Sequence, residues 1–140
     1  MHLKIKELFK GNNISILLKY DGEWASDLHT VMLFDKDRLE RILGGDTDSP
    51  LAVLNSIFTH LQSEKSDELT QYYFQIFKKM VDKLNDVIDT QLVFLLIAEG
   101  EEGKVIYKVV VISNKTTQHF ERTDLEMCSE EISKNYMRYI

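Results

Sequence analysis

Asp27-Leu-His29 sets a carboxylate and an imidazole two residues apart, and His119-Phe-Glu121 repeats the pairing far along the chain. Residues two apart on a strand share a face, so each acid stands where it would orient a histidine for general-base work. No nucleophile motif accompanies either pair, and any strand with a solvated face can carry the same spacing. A small enzyme or ligand sensor using Asp27 and His29 is accordingly the third-ranked reading. His60 follows Phe58 in a helical stripe and reads as a boundary or surface residue, and His2 lies at a fraying terminus.

The other chemistry-bearing residues lack the spacing their chemistry needs. Four histidines and one cysteine form no His-x-x-x-His, Cys-x-x-Cys or His-Glu-x-x-His pattern. Asp35-Lys-Asp37 and Asp46-Thr-Asp48 lack the glycine and distal glutamate of a calcium loop, and Asp46 to Ser49 reads as a turn and helix cap. Gly44-Gly45 has neither the glycine spacing nor the Gly-Lys-Ser/Thr ending of a phosphate loop and reads as a helix stop. Cys128 falls in the apolar stripe of the last helix, as a small buried hydrophobe. The expectation is a chain with no catalytic residue, metal or cofactor.

A binding role is better supported. Between Asp21 and Asp48 lie eight acids (Asp21, Glu23, Asp27, Asp35, Asp37, Glu40, Asp46, Asp48) against three bases (Lys36, Arg38, Arg41), a local balance of −5 in a chain of −6. That sign opposes docking on nucleic acid or an anionic membrane. Lys4, Lys6 and Lys10 near the start read as the solvated side of a helix. The charge suits a basic protein partner, with carboxylates steering the encounter. Glu23, Trp24, Asp27, Asp37 and Glu40 are the expected contact residues. Helical spacing takes Tyr73 and Phe77 into the core and leaves Tyr72 or Phe74 toward another surface, and Tyr72 joins the contact residues as an aromatic anchor. The first reading is a non-enzymatic inhibitor of the immunity or antitoxin type, masking a nuclease-like toxin. The second is a dimeric chaperone or adaptor for an exported or partner protein, and monomer or homodimer is left open.

The elements that must hold these residues follow from periodicity. Ile5, Leu8 and Phe9 predict a short helix stopped by Gly11-Asn12-Asn13. Ile14 to Tyr20 reads as a strand, with Asp21-Gly22 as a two-residue hairpin turn. In the return strand Trp24, Leu28, Met32 and Phe34 take the buried face, Asp27 and His29 the wet one. Asp35 caps a short helix burying Leu39, Ile42 and Leu43. Ser49-Pro50 opens a helix with the stripe Leu51, Leu54, Ile57, Phe58 and Leu61. The longest helix runs from Ser66 to about residue 89.

Gln91 to Glu99 and Lys104 to Ser113 form a second hairpin around Gly100-Glu-Glu-Gly103. The first of these strands, apolar on both sides, reads as central and doubly covered. Gln118 to Arg122 adds a possible edge strand. Thr123-Asp-Leu-Glu126 has capping-box form before a helix burying Leu125, Cys128, Ile132 and Tyr136.

The order α-β-β-α-α-α-β-β-α predicts an α+β fold. Its sheet is antiparallel, of four or five strands built from two hairpins, with helices mainly on one face. Residues 1–140 suit one domain. The single cysteine fits a reducing compartment. No signal-peptide run opens the chain, and the apolar stretch Leu92 to Ala98 is too short to span a bilayer. A cytosolic protein is expected.

Overall fold

The computed structural model describes residues 5–22, 29–61, 63–87, 90–114 and 116–135. It is α+β, as the element pattern implies. The helices are α1 (Ile5–Phe9), α2 (Pro50–His60), α3 (Ser66–Val87) and α4 (Leu125–Asn135). The strands are β1 (Ile14–Asp21), β2 (His29–Asp35), β3 (Arg41–Thr47), β4 (Thr90–Glu99), β5 (Val105–Ser113) and β6 (Thr117–Arg122). They form one six-stranded sheet in the order β3-β2-β1-β4-β5-β6, every neighbouring pair antiparallel.

Six strands exceed the expected four or five because the segment after Asp35 is not a helix. Asp35 does accept from the amides of Asp37 (3.0 Å) and Arg38 (2.9 Å), as a helix cap would. The turn closes at once, since Leu39 takes a left-handed φ of 56° and is 77% exposed. Arg41–Thr47 then pairs with β2 as an edge strand. Gly44, at φ 94°, brings its α-carbon so near the Val31 carbonyl that a β-carbon would collide with it. The glycine pair expected to end a helix is thus a close strand contact.

The first connection also departs from expectation. Tyr20 pairs with His29, so β1 and β2 are not joined by a two-residue turn at Asp21-Gly22. The faces of β2 are inverted as well. Val31 and Leu33 are fully buried on the helix side, which the half-buried His29 shares, while Met32 and Phe34 point the other way and stay partly exposed. Trp24, Asp27 and Leu28 lie outside the described residues.

The rest follows the apolar spacing. α2 covers β2 and β3, α3 lies on β4 between α2 and α4, and α4 covers β5 and β6. Leu54, Ile57, Phe58, Phe77 and Leu84 meet Ile16, Leu18, Val93, Leu95, Ile97 and Val109 in one core, each with no exposed surface or almost none. Each such side chain contributes roughly 1.5–3 kcal/mol of burial. Ile5 and Phe9 of α1 join that core. Ser49 holds the N-cap position of α2 with Pro50 behind it, although its hydroxyl bonds to Asp48 instead of a helix amide. At α4 the cap is Asp124, not Thr123: its carboxylate accepts from the Glu126 amide at 2.8 Å. Leu125, Cys128 and Ile132 are buried as their spacing implies, and Tyr136 lies outside the described residues.

Candidate functional site

The expected contact residues do not come together as one patch. Glu23, Trp24 and Asp27 fall outside the described residues. Asp37 and Glu40 are exposed in the β2–β3 turn, where Lys36, Arg38 and Arg41 balance the charge of Asp35, Asp37 and Glu40. Lys36 is turned away, donating to the Glu99 carbonyl at 2.8 Å beside a cleft of about 230 Å³ lined by Gly11, Asn13, Ile14 and Gly100. Asp46 accepts the Thr30 hydroxyl at 2.6 Å on the edge strand.

The histidines are scattered. His29 packs its ring against Tyr20 (5.6 Å between centroids) and Phe74 (5.9 Å). His119 and Glu121 are exposed together on β6, opposite Val110 and Lys108 of β5, and His60 is exposed at the end of α2. Among the described residues no group of three or more His, Cys, Asp or Glu side chains converges as metal ligands would. Cys128 is fully buried with its thiol against the Tyr107 carbonyl at 3.9 Å. Burial is the main cause that pushes the thiol pKa up to about 12. It behaves as a hydrophobe there, not as a thiolate.

Tyr72 is where a pairing invisible in the linear sequence arises. Its hydroxyl donates to Glu126 at 3.2 Å, across the α3–α4 junction. Partial burial, then the Glu126 carboxylate and Asp124, push its pKa up to about 12. Its ring stands edge-on to Tyr73, 5.2 Å away at 86°. From Asp124 to Glu131 the chain has four acids (Asp124, Glu126, Glu130, Glu131) and no base. Glu131 pairs with Arg122 at 3.2 Å, while Met127 beside Glu126 is 52% exposed. This corner is more uniformly acidic than the β2–β3 turn. The only hint of it in the sequence is the acid run itself, which reads there as a capping signal.

Below Tyr72 the Tyr73 and Tyr107 hydroxyls meet at 2.9 Å in the core, with rings nearly parallel 6.2 Å apart. Burial raises both pKa values, and the groups stay neutral throughout the ordinary pH range.

The second surface is the side of the sheet turned away from the helices. Leu17, Met32, Phe34, Leu92, Phe94, Leu96, Ala98, Ile106, Val110 and Ile112 project from four adjacent strands and are all partly exposed. The partly buried apolar residues that pack on the core do not include any of them. Among the described residues, the central strand expected to be covered on both sides is covered by helices on one. Lys19 lies in this field, its ammonium 5.8 Å from the Phe94 ring centroid. Lys108 stands between Leu96 and Glu121 in register, and Asp21 is paired with Leu92 at one end.

Comparison with protein-family models, with curated proteins and with solved structures gives no match. Among the described residues no helix is long and apolar enough to cross a membrane.

Proposed function

We propose that this protein is a non-enzymatic protein-binding module, an inhibitor of the immunity or antitoxin kind that covers a basic, nuclease-like partner. The observation that supports this reading is the corner where Tyr72 is held by Glu126, with Asp124, Glu130 and exposed Met127 beside it. A protein that cleaves nucleic acid needs a basic cleft to hold phosphates. Carboxylates arrayed opposite such a cleft speed the encounter and exclude neutral partners. A half-buried tyrosine among them supplies the apolar anchor that most of the affinity of such interfaces rests on.

The test is co-production with a toxin-like protein encoded beside this chain, reading cell survival and then affinity against salt. Glu126→Lys combined with Glu130→Lys should weaken the complex at least about tenfold at low salt and flatten its salt dependence. Unchanged affinity and unchanged salt slope would remove this corner from the interface. A dimeric adaptor or chaperone is the second reading, and the apolar outer face of the sheet is the observation that favours it.

A further inference from the structure

We infer that β3 is a self-association edge: two copies join β3 to β3, antiparallel, across a two-fold axis that passes beside Gly44 perpendicular to the sheet. This goes beyond the inhibitor reading and does not depend on it.

The edge itself is the first observation. The strand order ends at β3, which pairs with β2 on one side and with no described strand on the other. Its outward N–H and C=O groups are therefore a template for another strand. Lysine or proline commonly blunts such an edge, and Arg41–Thr47 contains neither. Apolar surface gathers in the same stretch of chain. Of the four large apolar side chains that stand exposed among the described residues, Leu39 belongs to the turn before β3, Ile42 to β3 and Leu51 to the helix after it.

The register decides the occupant. On β2, Thr30 and Phe34 stand two residues either side of Met32. Their partners on β3 are Asp46 and Arg41, with Gly44 opposite Met32 and Ile42 taken up in the bulge. Arg41 and Asp46 thus lie equally far from Gly44, on the same side of the sheet, and both are exposed. A two-fold axis beside Gly44 sets Arg41 of each copy opposite Asp46 of the other, two ion pairs from one operation. Leu43 and Gly45, the partners of Leu33 and Val31, exchange in the same way, so each leucine meets a glycine of the second copy. Gly44 meets Gly44, and no side chain holds the two backbones apart at the axis. An unrelated extended peptide has no reason to match all three relations, whereas a second copy matches them by symmetry. Seven residues make a short contact carried by main-chain hydrogen bonds, which places it in the weak, concentration-dependent class of interface.

The test is the solution mass of the full chain by sedimentation and light scattering from micromolar to hundred-micromolar concentration. The mass should rise from 16.4 kDa toward twice that value. Amide exchange in β3 should slow over the same range. Arg41→Asp and Asp46→Arg each turn two attractive pairs into two repulsive ones, and each should raise the dissociation constant at least about tenfold. Circular dichroism should not change, because both side chains are exposed. An equimolar mixture of the two variants should dimerise again, since each aspartate then faces an arginine. A wild-type chain that stays monomeric at hundred-micromolar concentration overturns the proposal. A dimer whose affinity neither substitution changes overturns it too, by placing the contact elsewhere, and so does a mixture no tighter than its components. Should a variant fail to fold, the wild-type exchange decides: a dimer without added protection in β3 overturns the proposal. None of these outcomes touches the inhibitor reading, which is measured with Glu126 and Glu130 on α4, the helix that covers the opposite edge of the sheet.

Discussion

Tyr73→Phe leaves the Tyr107 hydroxyl in the core without the partner it has at 2.9 Å. Tyr107 is 6% exposed and Tyr73 2%, so solvent replaces little of what is lost. Stranding a buried hydroxyl costs about 1–3 kcal/mol, which for a chain of this size lowers Tm by roughly 3–4 °C per kcal/mol. Tyr73→Phe together with Tyr107→Phe removes both polar groups and keeps both rings. The double variant should therefore be more stable than either single one, with a coupling of about 1–2 kcal/mol in the double-mutant cycle.

Alkaline pH supplies a second reading of the same pair. The folded state raises both phenol pKa values, with burial the leading cause. Stability is fully present below the unfolded value of about 10. Above that pH the unfolded chain loses phenolic protons that the folded chain keeps. Stability then falls by about 1.4 kcal/mol per pH unit for each tyrosine, until the folded pKa is reached. Urea titrations followed by circular dichroism at pH 7 and from pH 10 to 11 measure both effects. The wild-type slope above pH 10 should exceed that of the double variant, by up to about 1.4 kcal/mol per pH unit from Tyr73, with Tyr107 adding in the same direction. Equal slopes, or a double variant less stable than both single ones, would refute the isolated buried pair.

Three further outcomes follow from the geometry. Gly44→Ala forces a β-carbon onto the Val31 carbonyl at a φ of 94°. It should destabilise the β2–β3 hairpin by about 1–3 kcal/mol, seen as loss of amide-exchange protection in both strands. Glu126→Gln removes a secondary cause of the Tyr72 shift while burial, the leading cause, remains. Absorbance titration near 295 nm should show the Tyr72 pKa falling from about 12 only part of the way to its ordinary value. Cys128, whose pKa is pushed up to about 12 inside the core, should resist thiol reagents at pH 8 and react promptly in denaturant. Rapid labelling of the folded chain would contradict its burial.

The α+β class, the β4–β5 hairpin and helices α1 to α4 are legible from the residues alone. Each carries an apolar period that matches one element type over enough positions to exclude the other. Leu54, Ile57 and Phe58, or Leu125, Cys128 and Ile132, can be buried together only on a helix. Where two signals compete, local reading fails. Asp35 and Gly44-Gly45 fit a capped helix as well as a hairpin, and only pairing with β2 selects the strand, by giving Arg41–Thr47 backbone partners along β2. Alternation in β2 is visible, but both of its faces are apolar. Which one meets the helices depends on register with β1, set across a connection that sequence spacing does not specify.

The candidate sites divide in the same way. Net charge, a single cysteine and the motif spacings are properties of the chain, and the binding proposal could be framed from them before any fold is known. Helical spacing leaves Tyr72 or Phe74 off the core stripe without choosing between them. That Tyr72 meets Glu126 depends on α3 and α4 crossing 54 residues apart in sequence. The apolar run Leu92 to Ala98 announces a strand with two apolar faces. Only the sheet order, with the described helices on one side, leaves the second face partly exposed, because burial is a property of what packs against a residue.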